Sequence, residues 1–342
     1  MNTLSVLNLK HAIFAFFVLV TLASCTKPEA EKVMLQGKTM GTTYHVSYVA
    51  QPGMPDQQQV QAQIEQVLKE VNQVASTYIK DSELSLFNLS HSTAPREASD
   101  MLRFLFGEGI RLAQMTNGYL DITVGPLVNL WGFGPTHRPE KVPDNVAIAL
   151  ARTQTGVQYL QLEGSTVRKT KPELYVDLST IAKGYGVDLV AQVLEQLGIH
   201  NFLAEIGGEI RIKGTSLEGK DWTVGLEKPV AEGRVLQRLL RPKDNAVATS
   251  GDYRIFFEEN NQRYSHLIDP KTGKPITHMM LSSTVIYPSC MTADGLSTAF
   301  MVMGVEKALA LANQQQIAAL FIVKNQEGEF EELYSQAFEA YL

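Results

Sequence analysis

The sequence predicts an α+β fold built from mixed, largely antiparallel sheets with packed helices. Segments of helical and of strand periodicity come in runs without strict alternation, which disfavours a parallel doubly wound sheet. Neither GxGxxG nor GxxxxGK[ST] occurs, so no dinucleotide fingerprint or P-loop imposes an alternating βαβ plan. A chain of 342 residues that is 44% hydrophobic can bury a substantial core, either as one elaborate domain or as two interlocked lobes.

Val33 to Ala50 is strand material broken at Gly41. Val60, Ile64, Val67, Leu68, Val71 and Val74 recur at helical spacing and predict an amphipathic helix to about Ser76. A second helix starts near Ser99 or Asp100, turns Leu102, Leu105, Phe106 and Ile110 inward, and stops at Asn117-Gly118. Asp121 to Gly134 reads as a Gly/Pro-punctuated loop, followed by a short helix after Asp144. Val157 to Leu174 reads as a hairpin turning at Glu163-Gly164, and Leu174 to Val176 as a strand running into Asp177. A helix is expected over Thr180 to Leu197, closed by Gly198. Strands should dominate from Phe202 to Leu267, followed by a helical stretch from Met291 to Gln314 and a buried strand at Ala318 to Val323.

The first 24 residues do not belong to that fold. Lys10 and His11 close a short basic start, and Ala12 to Ala23 carries no charge, too short a run to span a bilayer comfortably. The junction Leu22-Ala-Ser-Cys25 resembles a bacterial lipoprotein signal, in which the Cys is lipidated and becomes the first mature residue. An ordinary secretory leader with an incidental Cys is the plainer alternative. Residues 1–24 are thus expected as signal peptide, 25–34 as lipidated Cys25 and polar tether, and 35–342 as the working domain. Such a chain is held by lipid on the periplasmic side of a bacterial membrane.

Composition excludes several functions. A net charge of −6 with no Lys/Arg cluster argues against nucleic acid. Of two cysteines, Cys25 is taken by the leader, leaving Cys290 with no partner for a disulfide and too few thiols for a Cys-rich zinc site. HExxH is absent too, which removes the simplest zinc hydrolase.

Five stretches can carry chemistry. In Asp177 to Asp188, a chain turning into a helix offers free N–H groups, and Lys183 adds a cation suited to phosphate. A capped helix start with a solvated lysine explains it equally well when taken alone. Asp294 and Thr298 share one helix face, a carboxylate and a hydroxyl fitted to a hard cation such as Mg²⁺; a plain surface pair is the bland alternative. Tyr264 to Pro275 sets His266 just before a turn at Asp269 to Gly273, where an imidazole can serve as a general base or be structural. Glycines in Glu205-Ile-Gly-Gly-Glu209 and Thr249-Ser-Gly-Asp-Tyr253 lie within apparent strands, which indicates a bulge or backbone approach to a ligand.

Taken in order, these stretches resemble the flavin transferase family once called thiamine-biosynthesis ApbE lipoproteins. The resemblance also rests on Met40-Gly-Thr-Thr-Tyr44, Ser76-Thr-Tyr78, Ser82-Glu-Leu-Ser85, Gly118 to Pro126 and Leu130-Trp-Gly-Phe-Gly134, and it spans nearly the whole mature chain. It implies an ApbE-like fold and an FAD:protein FMN transferase, which moves the FMN moiety of FAD to a Thr or Ser hydroxyl of a target flavoprotein and releases AMP. FAD would be a substrate and Mg²⁺ the cofactor. The acceptors it implies are periplasm-exposed subunits of membrane ion-translocating oxidoreductases, of the Na⁺-translocating NADH:quinone reductase or Rnf type. Carried over by position, Met40, Tyr78, Tyr119, Leu120, Asp121, Asp177, Lys183 and Ile268 would contact FAD, while Thr180, Asp294 and Thr298 would hold Mg²⁺. The family varies at the position of Lys183 and at the residue after Ser179. His266 is the candidate base for the acceptor hydroxyl, with Asp294 as the second catalytic residue. Two alternatives stay open: a Mg²⁺-dependent FAD pyrophosphatase using water as acceptor, and a flavin-binding lipoprotein without chemistry. The family favours the inner membrane, but Thr26 is not the Asp that marks retention there in some bacteria, so the outer membrane remains open.

Overall fold

The computed structural model describes residues 29–135, 141–229, 235–252, 255–260, 262–325 and 327–342. The leader, Cys25 and Tyr253 lie outside the described residues. β1 (Glu31–Thr39) pairs with β2 (Thr42–Ala50) in a hairpin. Buried Val33 and Leu35 alternate with exposed neighbours, and the pairing extends back to Glu31, inside the stretch expected as tether. α1 (Gln57–Ala75) buries Val60, Ile64, Leu68 and Val71, and the Asp56 carboxylate accepts the Gln59 N–H at its start.

α2 (Glu83–Leu89), capped by Ser82, leads through β3 (Arg96–Glu97) to α3 (Asp100–Met115), capped by Ser99. α4 (Gly125–Leu130) lies inside the segment expected as a loop. Pro126 pre-sets its first turn, and Trp131 just beyond it donates its indole N–H to the Gly273 carbonyl. α5 (Asn145–Thr153) follows Asp144, and β4 (Leu160–Glu163) and β5 (Thr166–Lys169) form the expected hairpin, to which β3 adds. Residues 174–176 do not form the strand expected there. The Asn88 side chain donates to the Val176 carbonyl and accepts its N–H, taking the place of a neighbouring strand.

α6 (Ala182–Gln196) starts later than expected, because 179–181 form a turn. β6 (Phe202–Ile206) and β7 (Glu209–Lys213) are joined by Gly207-Gly208, so these glycines make a hairpin turn and not a bulge within a strand. β8 (Val224–Glu227) pairs with β9 (Leu236–Leu240); β10 (Ala246–Gly251) precedes the hairpin of β11 (Phe256–Glu259) and β12 (Gln262–Ser265). β13 (Ile268–Asp269) and β14 (Lys274–Pro275) clamp the turn after His266, and β15 (Met280–Tyr287) follows. The last helical stretch is two helices, α7 (Cys290–Met303) and α8 (Val305–Gln314), broken at Gly304, whose φ of 78° no helix accommodates. β16 (Ala318–Lys324) and β17 (Phe330–Tyr334) complete the strands.

One eight-stranded sheet, ordered β1-β2-β6-β7-β10-β15-β16-β17, organises the fold, and every neighbouring pair in it is antiparallel. α6 lies on β6 and β7, and α7 on β10 and β15, so the two central helices share a face. Ala246, Ala248 and Val285 point into that interface, while Val247, Ile286 and Leu320 face the opposite side with Leu226, Leu240 and Phe338. A second group, α2 to α5 with the β3-β5-β4 sheet, closes over the start of α7 through α3, giving the lobed α+β plan that was expected. The helices cross closely at Gly184, where a Cβ would lie 2.4 Å from the Cys290 carbonyl oxygen. Asp188 clips the same crossing: its carboxylate accepts from Ser289 Oγ, the N–H groups of Cys290 and Met291, and Arg211. That crossing sets where α7 presents Asp294. Among the described residues, no helix is long and apolar enough to cross a membrane.

Candidate active site

α7 carries Asp294 into the helix crossing, 3% exposed, where its Oδ2 accepts the N–H of Gly184 at 3.0 Å. Ile181, the residue that caps α6, has no side-chain acceptor to offer, so a carboxylate from the neighbouring helix satisfies one of the free N–H groups of α6. The other oxygen, Oδ1, faces the Lys183 ammonium at 3.7 Å. Lys183 also lies 3.4 Å from Glu209 Oε1 at the start of β7. It is therefore no solvated lysine: it is half-buried between two buried carboxylates. Burial pushes the Asp294 and Glu209 carboxyls up. Burial also works against the Lys183 ammonium, but Asp294 and Glu209 outweigh it and hold the amine charged.

One turn along α7, Thr298 Oγ1 lies 3.2 Å from Ser250 Oγ on β10, within the Thr249 to Tyr253 stretch singled out for its glycine and not for this hydroxyl. Thr180, in the turn before α6, has a buried hydroxyl oxygen with no hydrogen-bond partner. A buried hydroxyl left unsatisfied is costly, and hard oxygen donors of this kind match Mg²⁺ better than a soft metal. The oxygens of Thr180, Asp294 and Thr298 are of the chemical type that suits the expected cation, and waters would be needed to complete its shell. Asp252, just past β10, also has a buried oxygen without a partner, and its carboxyl is pushed up by burial.

The other expected residues range from exposed to fully buried. Asp177 is buried, its N–H donating to the Ile122 carbonyl at 2.7 Å, and its carboxylate accepts the Ser179 N–H at 2.9 Å. This ties the segment entering α6 to the loop carrying Tyr119, Leu120 and Asp121. Tyr78 is 73% exposed and close enough to Asp177 to feel its charge. Tyr119 presents its ring to Lys271, 3.6 Å from the ring centre, and its hydroxyl accepts from Lys307 at 2.7 Å. The Asp121 carboxylate is occupied: it accepts from the Thr123 N–H and hydroxyl and from the Val157 N–H. The Leu120 side chain is buried in the core, so a ligand contact there falls to its backbone. Ile268 is likewise buried, packed with Leu127, Trp131 and Ile148 beneath the turn. Met40 sits in the β1–β2 turn at a φ of 48° and reaches across to α6 at Gly186.

His266 has its Nδ1 3.0 Å from the Ile255 carbonyl and its ring edge-on to Phe133. A carbonyl can only accept, so Nδ1 carries the proton and Nε2 keeps a lone pair. Burial lowers the imidazole pKa below the usual histidine range, and the positive field of Lys183 adds to the effect. A lowered pKa leaves the imidazole neutral at physiological pH, the state in which Nε2 can accept a proton.

Fold and sequence together place the chain in a known family. The ApbE family model matches residues 40–321, and the chain belongs to that family. The FAD:protein FMN transferase of Vibrio cholerae is 50% identical over 334 residues, 98% of this chain and 99% of its own. That of Haemophilus influenzae is 46% identical over 328 residues, 94% of each. The structure of the flavin transferase ApbE from Vibrio cholerae, 51% identical, superposes with a TM-score of 0.86 over 92% of this chain and all of its own.

Proposed function

We propose that this chain is an Mg²⁺-dependent FAD:protein FMN transferase, which joins FMN to a Thr or Ser hydroxyl of a flavoprotein and releases AMP. The observation that carries this is the match to FAD:protein FMN transferases over nearly the whole chain, and the buried Asp294 carboxylate, the Thr298 hydroxyl and the unsatisfied Thr180 hydroxyl are oxygen donors of the kind Mg²⁺ takes. When bound, Mg²⁺ would neutralise charge on the pyrophosphate, held by Thr180, Asp294 and Thr298. Exposed Tyr78, half-buried Tyr119 and buried Asp177 would receive the flavin nucleotide, with Met40, Leu120, Asp121, Lys183 and Ile268 supporting it.

His266 Nε2 takes the proton of the acceptor hydroxyl as that oxygen attacks the phosphorus of the FMN half. The bond from this phosphorus to the bridging oxygen breaks, and AMP leaves with the electron pair. Asp177 keeps the loop that enters α6 tied to the Tyr119 loop through its N–H, fixing the distance between the nucleotide residues and the metal donors.

AMP release separates this from the pyrophosphatase alternative. With FAD and Mg²⁺ but no acceptor, AMP should form only slowly, and a Thr-bearing acceptor domain should accelerate it without free FMN. Equal AMP release with and without acceptor, accompanied by free FMN, would make the chain a hydrolase. Absence of AMP under both conditions would leave only a flavin carrier.

The acceptors would be periplasm-exposed subunits of ion-translocating membrane oxidoreductases, and the chain would meet them while anchored through lipidated Cys25. Cys25→Ser should then release the protein from the membrane fraction, since a single cleaved and lipidated terminus is its anchor. Unchanged membrane fractionation of that variant, without label from a radioactive fatty acid, would overturn the lipid anchor.

A further inference from the structure

Lys183 is shared between two carboxylates and makes a close pair with neither, at 3.4 Å from Glu209 and 3.7 Å from Asp294. Asp294 is a metal donor in the function proposed above; Glu209 has no part in it. Yet Glu209 is only 4% exposed, and its Oε2 is buried without a hydrogen-bond partner. Keeping such a group in the interior is costly unless a state exists in which its charge is needed. Burial pushes both carboxyls up, Glu209 to about 8, so the cluster is one unit negative only when both are ionised, the state that an incoming dication favours. A divalent cation at Asp294 makes it one unit positive, and the substrate pyrophosphate offsets that. An ammonium cannot remain against Asp294 Oδ1 when a dication arrives there, because like charges repel strongly at such distances away from bulk water. A slight swing of the Lys183 side chain brings it fully onto Glu209.

We propose that Lys183 is the resident counter-ion of the Asp294 metal site and that Glu209 takes it over when the divalent cation binds, so that this pair sets the site's cation affinity. The proposal rests on the metal site assigned above. Glu209 is a positioning residue here: it acts on the metal only through Lys183.

The test is direct Mn²⁺ titration without FAD, following free Mn²⁺ by electron paramagnetic resonance, in the wild-type chain and four variants. Lys183→Met removes the competing cation and should tighten Mn²⁺ about tenfold. Glu209→Gln leaves the ammonium nowhere to go but Asp294 and should weaken it about tenfold, within the usual coupling of buried neighbours. The double variant Lys183→Met/Glu209→Gln keeps the cluster's net charge, which guards against misfolding, and should bind at least as tightly as wild type. If the double variant is as weak as Glu209→Gln alone, Glu209 is itself a ligand and the proposal is wrong. Unchanged affinity in Lys183→Met overturns it as well. Asp294→Asn tests the underlying site separately: retained Mn²⁺ binding in that variant would remove the metal assignment and the exchange with it.

Discussion

Asp294→Asn should lower FMN transfer on the order of a thousandfold or more while leaving the fold intact. The size follows from what is lost: a charged donor at the point where phosphoryl charge must be neutralised, in a site largely closed to water. Fold survival follows from the second task of Asp294, which is to accept the Gly184 N–H at the uncapped start of α6. An Asn carbonyl oxygen can still accept that hydrogen bond, whereas Ala would strand it. The carboxylate is also raised by burial, so neutralising it removes a charge the interior disfavours. Thermal melting should therefore stay near that of the wild type, with activity measured by FMN transfer to an acceptor domain. Excess chelator should reproduce the loss in wild type. Full wild-type activity under chelation would sink the metal assignment, whatever the variant does.

The second large effect is expected at His266. His266→Ala should reduce transfer by roughly two to four powers of ten, the usual worth of a general base. FAD affinity, read from flavin fluorescence, should change little, because the neutral imidazole brings no charge to the phosphates. Its pH dependence has a definite sign. The base is the deprotonated ring, and burial together with the Lys183 field lowers its pKa. The wild-type rate should therefore rise with pH on the acid side, through a value below the ordinary histidine range, and be flat by neutrality. In His266→Ala that acid limb should vanish along with the rate. A variant that transfers at near-normal rate and keeps the limb would assign both to another group.

Much of this site was readable from local pattern. Asp294 and Thr298 fall on one helix face by spacing alone, and the polar turn at Asp269 to Gly273 announces that His266 sits at a loop edge. The long helices α1 and α3 were legible because their apolar stripes persist over several turns and their caps, Asp56 and Ser99, are of the expected type. What escaped was short or depended on distant partners. α2 and α4 are too brief to show a period, and proline and glycine made α4 look like a loop. The strand expected at 174–176 has suitable residues, but Asn88 satisfies Val176 there instead of a neighbouring strand. The break at Gly304 lies in a run whose helical pattern continues across it.

Lys183 shows the same limit at the site itself. Its placement in the first turn of a helix suggested a cation free for phosphate, while its actual neighbours, Glu209 and Asp294, come from a strand and a helix well separated in sequence. The Gly-Gly-Glu stretch gave a signal, since two glycines before a carboxylate promise a tight turn that aims the side chain. It was read as a feature of the backbone, and the carboxylate went unassigned. Ser250 was hidden for a similar reason: only the pairing of β10 under α7 brings it to Thr298.

The central claim is that this site moves FMN from FAD onto a protein hydroxyl. Intact-mass measurement of an acceptor domain, incubated with the full chain, FAD and Mg²⁺, tests it most directly. The acceptor should gain the mass of one FMN less one water, with equimolar release of AMP, and no adduct should form when the acceptor Thr is changed to Val or when Asp294→Asn replaces the wild type. An acceptor of unchanged mass alongside free FMN and AMP would contradict it.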